Sequence, residues 1–337
     1  MSPAIPRRLR DDVPRDEYPE KLINLISEKL GEDADTSKRI ISAAISGRET
    51  KNSESAIEHW IESQLIPNTI LIDQAGYTEM CIDALKTIST QVLTDFGSSR
   101  QRDFGQAWSD TIRGYLGEYA VVKFLELNFG IKTKLAHQRG FAEDFYNSDI
   151  AEVLDKDTWR APHINIGIKT AKFNGLWLDV PKEQFSKADI HVQVKIGGGT
   201  THLFSFFKEL SVFKDKILKA GLDGKYLTQS ESEQIWNDIP PFKPVAAYIT
   251  GFAIRDLDYS QMSYEGHLAI VKYTLHTFSG LLQKDYIETI KKREGLTAKQ
   301  TVEFESIGKF TAHDRFVFNT GSINRTKNEW ESFINRL

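Results

Sequence analysis

Three residues, Glu118, Asp149 and Lys169, stand out by type and by order along the chain. Glu118 ends the phrase Gly-Tyr-Leu-Gly-Glu in a helical run, at the border of an apolar stripe, where a carboxylate needs a partner or a metal. Asp149 closes a loop in Asn-Ser-Asp-Ile, and Lys169 stands in Ile-Asn-Ile-Gly-Ile-Lys-Thr, whose alternation reads as a strand. Carboxylates are hard oxygen ligands for a divalent cation such as Mg2+. A cation held between carboxylates and a phosphate activates a water and offsets charge on a pentavalent phosphorus, and a nearby lysine orients or helps deprotonate that water. Phosphodiester hydrolysis is the chemistry these residue types suit. Singly, each also fits a plainer place: a solvated loop aspartate, a strand-edge lysine and a helix-face ion pair.

The elements that must position these residues can be read from apolar spacing. Residues 1–18 read as an irregular arm, and the pattern from 19 to about 130 is helical. Leu22, Ile23, Ile26 and Leu30 mark one helix; Ile40, Ile41 and Ala44, capped by Thr36 or Ser37, mark a second. Ile57, Trp60, Ile61 and Leu65 mark a third, stopped by Pro67, and Thr78 with Cys81, Ile82, Leu85, Ile88 and Val92 a longer fourth, ending near Gly97. A long helix from about Phe104 to Asn128 carries Glu118, presents Ile112, Leu116, Ala120, Phe124 and Leu127 on one face, and closes at Gly130. Strands are expected at 164–169, 176–180 (after an Asn174-Gly175 hairpin turn), 189–196, 245–254 and 268–275. Helices are expected at 205–220 and 286–294, and the end mixes a strand at Phe316 and Phe318 with a last helix at Trp330, Phe333 and Ile334. The organisation is α/β: a helical N-terminal region, 1–97, then a mixed unit, 98–337.

The order of glutamate on a helix, acid after a loop and lysine in a strand resembles the PD-(D/E)XK nuclease superfamily, and within it the type II restriction endonucleases. The phrases that carry the resemblance are GYLGEYAVVKFL, NSDI, IKTAKFNGLWLDVP and ADIHVQVKI, over about residues 100–200, with VAAYITGFAI further on. The resemblance implies a central mixed sheet flanked by helices and Mg2+-dependent hydrolysis at a specific double-stranded DNA sequence. It implies Asp149 and the main-chain oxygen of Ile168 as metal ligands, Lys169 as the catalytic lysine and Glu118 as a supporting, metal-holding carboxylate. The same fold also serves repair and recombination nucleases.

One position departs from the pattern. The family's second acid stands two residues before the lysine, and that residue here is Gly167. Glu118 supplies the missing carboxylate, or an acid has moved downstream, to Glu183, fourteen positions after Lys169, or to the nearer Asp179. Failing both, the site is dead and the chain is a DNA-binding protein without catalysis. Asn165 shares the strand face of Gly167 and Lys169.

Composition excludes several other classes. Of 337 residues, 40% are apolar and 27% charged, a globular balance, and a net charge of −4 argues against a histone-like polyanion binder. One cysteine, Cys81, forbids an internal disulfide or a paired-cysteine zinc site, and reads as a buried small hydrophobe. No phosphate loop of the GxxxxGK[ST] kind, GxSxG elbow or HExxH helix occurs. His313 with Asn319 and Asn324 is a poor match for an HNH nuclease. No apolar run approaches a membrane span, and the first residues, with four arginines and no apolar core, do not read as a signal peptide, so the expected location is cytoplasmic. Lysines 169, 172, 182, 187 and 195, and a second basic group from Lys291 to Lys327, are candidates to neutralise phosphates. Arg100 and Arg102, in the loop before the Glu118 helix, are candidates for the DNA side, together with Lys172. A homodimer is expected, because two copies of one site match the two-fold axis of a palindromic duplex.

Overall fold

The computed structural model describes residues 20–30, 33–34, 37–38, 54–88, 103–139, 148–172, 175–197, 202–255, 262–305, 307–308 and 314–337. Arg100, Arg102, Asn174, His313 and the helix expected at Ile40 lie outside them. The first elements are α1 (Glu20–Leu30), α2 (Glu54–Trp60, prolonged by a π-helical turn, Ile61–Leu65), β1 (Thr69–Ile72), α3 (Gln74–Ile88) and α4 (Phe104–Phe129). Then come β2 (Thr133–Leu135), β3 (Ile150–Asp155), β4 (Thr158–Arg160), β5 (Ile166–Lys172), β6 (Trp177–Pro181), α5 (Lys182–Phe185) and β7 (Ile190–Ile196). The rest are α6 (His202–Glu209), a π-helical turn Phe213–Leu218 leading into α7 (Lys219–Asp223), α8 (Gln229–Asp238), β8 (Val245–Ile254), β9 (Ser263–Leu268) and β10 (Lys272–Leu282). They end with α9 (Lys284–Arg293), β11 (Thr301–Phe304), β12 (Arg315–Asn319) and α10 (Lys327–Ile334).

The central sheet has the order β1-β8-β7-β5, with β5 and β7 parallel and the other pairs antiparallel. All seven residues of β7 are buried, as befits a strand covered on both faces. A three-stranded antiparallel unit, β2-β3-β4, adjoins the free edge of β5, where the Asp149 amide donates to the Ile166 carbonyl (2.7 Å). The α4 helix lies across β5, β7, β8 and β1, and shares one core with them, with α3, and with Trp330 and Phe333 of α10. On the other face, α1 and the π-helical turn after α2 pack on Ala246 and Tyr248 of β8.

Residues 1–97 are not wholly helical. Thr69–Ile72, a short run with two β-branched isoleucines buried on one face, pairs with β8 and belongs to the central sheet. The α3 helix that follows shares the α4 core, so the first unit and the second are joined through common packing.

A second sheet, β11-β10-β12-β6 with β9 on β10, was only partly expected. The hairpin expected at Asn174-Gly175 does not form between β5 and β6, because β6 pairs with β12 instead. With Trp177, Leu178 and Val180 all buried, β6 needs cover on both faces, and it lies between two apolar clusters. The strand expected at 268–275 is two strands: Leu268 ends β9 and Lys272 opens β10.

The long helix begins at Asp103, whose side chain accepts from the Gln106 amide, and ends at Gly130 in the left-handed conformation (φ 69°). Near its end Phe124 packs against Trp330 of α10 and against Phe129 of the same helix (ring centroids 5.0 and 5.6 Å), and Leu127 is left 73% exposed rather than packed. Cys81 is buried in the core. No helix among the described residues is long and apolar enough to cross a membrane.

His202, at the start of α6, packs against Tyr77 and Phe242 (centroids 5.5 and 5.0 Å). Burial lowers its imidazole to about 4, against the pull of a backbone hydrogen bond at Lys243. An unfolded imidazole takes a proton near pH 6.5. Below that pH the unfolded chain gains a proton that the folded chain refuses until about 4, so stability present above 6.5 is lost as the pH falls through this window. The His202→Phe variant escapes the loss and should gain on the wild type by up to about 1.4 kcal/mol per pH unit there. Urea melts of both proteins at several pH values across that window measure the difference; a gap that does not grow would refute it.

Candidate active site

Glu118 from α4, Asp149 from the loop before β3, and Lys169 from β5 come together at the free edge of the central sheet. The approach of α4 to β5 makes this meeting close. Gly117 faces Thr170 so tightly that a Cβ there would lie 2.1 Å from the Thr170 hydroxyl, which itself donates to the Gly114 carbonyl (3.3 Å). Gly117→Ala must displace the Thr170 side chain or part α4 from β5, beside Glu118. The expected results are a loss of about 1–3 kcal/mol in a urea melt and a fall in any activity that needs Glu118. An alanine variant with wild-type stability would refute the packing argument.

Asp149 is fixed by the strand beside it. Its Oδ2 accepts the Ile168 amide, and its own amide bonds Ile166. The neighbouring Ser148 hydroxyl accepts the Ile166 amide (3.1 Å). Amide and carbonyl of one strand residue point to the same edge, so the Ile168 carbonyl faces the side on which Asp149 lies. Burial raises the Asp149 carboxyl; Lys169 and the Ile168 amide oppose the shift.

The Glu118 side chain is 15% exposed. Burial pushes its carboxyl up to about 7; the hydrogen bond from His137 opposes this and the charge of Asp149 adds to it. Two neighbouring carboxylates that both resist ionisation form a set of hard oxygen donors whose repulsion a cation relieves. Among the described residues, no three His, Cys, Asp or Glu side chains form a metal cage. Two carboxylates and a main-chain oxygen nonetheless suit Mg2+, which keeps waters and takes phosphate oxygens from a substrate.

Lys169 donates to Gln184 Oε1 (2.9 Å), from the short helix α5. Glu183, the adjacent residue, is exposed. Asp179 is engaged elsewhere: its Oδ2 accepts from Arg315 of β12.

At Gly167 a side chain would meet a close neighbour. A Cβ there would lie 2.7 Å from His191 Nδ1, because the parallel register sets Gly167 beside His191, which covers it. Burial lowers His191 to about 4, so it stays neutral.

Of the candidate phosphate contacts, Lys172 is exposed on β5, whereas Lys195 is 1% exposed. Lys195 sits on the strand covered on both faces and cannot meet a duplex. Lys182 pairs with Asp314 (3.2 Å) and Lys291 with Glu288 (3.0 Å).

Sequence reading missed His137, Asp83 and Gln184. The ring of His137 lies in the 3-10 turn Ala136–Arg139 after β2, with Nδ1 on Glu118 Oε2 (2.9 Å). A lone histidine between the glutamate and the aspartate was the only available signal, and its spacing matches no ligand pattern. Comparison with known proteins finds no matching family model, curated protein or solved structure.

Proposed function

We propose that this chain is a Mg2+-dependent DNA endonuclease with a PD-(D/E)XK-type centre and type II restriction character. The observation that carries the reading is the convergence of Glu118, Asp149 and Lys169, from three separate elements, at one sheet edge. Chance placement of surface charges does not bury two carboxylates beside a lysine. The strand arrangement supports the same reading: a mixed central sheet, covered by α4, with the Asp149 loop at the edge of the lysine strand.

Glu118, Asp149 and the Ile168 carbonyl would hold the cation, which when bound supplies charge neutralisation at the phosphate and activation of the attacking water. Lys169, oriented by Gln184, places an ammonium beside the reacting phosphate to position that water and offset developing charge. The Ile168 amide holds the Asp149 carboxylate in place. Lys172 offers phosphate contact beside the centre. A homodimer would set two such centres on the two strands of a palindromic site.

Plasmid DNA with Mg2+ tests this directly. Discrete fragments are expected, with Mn2+ replacing Mg2+. Ca2+ should support binding without efficient turnover, since its looser geometry activates water less. Full cleavage in excess EDTA would refute a metal-dependent centre. Cuts that follow DNA structure rather than sequence would assign the chain to repair or recombination. The glycine covered by His191 favours a second reading, a binder without catalysis, which would shift DNA in a gel and leave it uncut. One chain per duplex in sedimentation would defeat the dimer.

A further inference from the structure

The ring of His137 lies between two carboxylates and is hydrogen-bonded to one of them. Nδ1 meets Glu118 Oε2 at 2.9 Å, and Nε2 faces Asp83 Oδ2 at 3.5 Å, longer than a direct hydrogen bond. The ring is 3% exposed and stacks flat on Tyr115 (3.8 Å, 10°), whose hydroxyl donates to Thr87 Oγ1 (2.8 Å). Asp83 is anchored in turn by Lys86, which donates to Oδ1 (2.9 Å). Residues 83, 86 and 87 lie on α3, and 115 and 118 on α4, so the packed helix pair grips the ring from both sides.

From this geometry we infer that His137 is the positioning residue for Glu118, orienting its carboxylate for a divalent cation shared with Asp149. The inference rests on the proposed metal centre and adds to it a residue and a task. With Oε2 committed to an Nδ1–H donor, the plane of the Glu118 carboxylate is set, and Oε1 is the oxygen that would be left to meet a cation. Ligands held this way lose affinity for their metal when the supporting group goes, commonly by tenfold or more. The neutral alternative is that His137 merely fills space against Tyr115.

Two substitutions in the full-length protein separate these roles. His137→Phe keeps a ring for Tyr115 but no donor; His137→Asn keeps an amide N–H near the place of Nδ1 but no ring. Mn2+ binding is measured by calorimetry without DNA, with thermal melts and the Mg2+ dependence of plasmid cleavage alongside. The expected result is Mn2+ affinity about tenfold weaker or worse in His137→Phe, most of it kept in His137→Asn, and DNA affinity in gel shifts little changed. Near wild-type Mn2+ affinity in a folded His137→Phe, or loss confined to His137→Asn, would overturn the inference while leaving the metal centre standing. If His137→Phe does not fold, His137→Asn decides: tenfold weaker Mn2+ binding overturns the inference, and near wild-type binding supports it. A wild-type protein that binds no Mn2+ overturns the centre and the inference together.

Discussion

Asp149→Asn should reduce DNA cleavage by at least about a thousandfold, or roughly 4 kcal/mol in the barrier. The substitution keeps the shape of the side chain, and its carbonyl oxygen can still accept the Ile168 amide, so the fold should survive. What disappears is the negative charge, and with it the attraction that holds a hard cation. Lys169→Ala should be equally silent in cleavage for a different reason. Its ammonium is the cation that the chain itself would supply at the proposed centre, and it donates to Gln184 Oε1. DNA binding by Lys169→Ala should stay close to wild type, because one phosphate contact among many is a modest loss. Single-turnover cleavage and gel shifts measure the two effects separately. Near wild-type cutting by either variant would remove these residues from the centre.

Glu118→Gln should cut activity by at least about tenfold, or roughly 1.4 kcal/mol, and raise the Mg2+ concentration needed for cleavage. The buried Glu118 carboxyl lies beside Asp149 and has a raised pKa, so a cation between the two relieves both burial and repulsion. Removing one charge removes half of that attraction. Glu183→Gln should have little effect, since Glu183 is exposed and Gln184 is the residue that meets Lys169. Asp179→Asn should act mainly through its lost ion pair with Arg315, in stability rather than in metal dependence. An inactive Glu183→Gln beside an active Glu118→Gln would move the missing acid downstream.

Local pattern made much of the scaffold legible. Alternating isoleucines mark β5, the apolar run Val245–Ile254 marks β8, and apolar residues three and four apart mark α1, α3 and α4. Such signals arise because one face of each element must leave water, and they survive without any partner in view. The order glutamate, aspartate, lysine is likewise read from the sequence, and the charges of the three residues act on one another in the structure.

Partner choice left no such trace. Thr69–Ile72 is a strand because β8 offers it an open edge, and β6 leaves β5 because β12 offers a better-covered place. Those choices depend on contacts between residues far apart in the chain, where sequence spacing carries no information. The site shows the same division. Amino-acid sequence alone singled out the groups on which the proposed chemistry rests: two carboxylates and a lysine, with a glycine two residues before the lysine. Tertiary structure alone decided that His191 covers Gly167, that Gln184 rather than Glu183 meets the lysine, and that His137 is held between Asp83 and Glu118. Each of those outcomes follows from strand register or helix rotation, which shift a side chain by several ångströms and are set only when the elements pack.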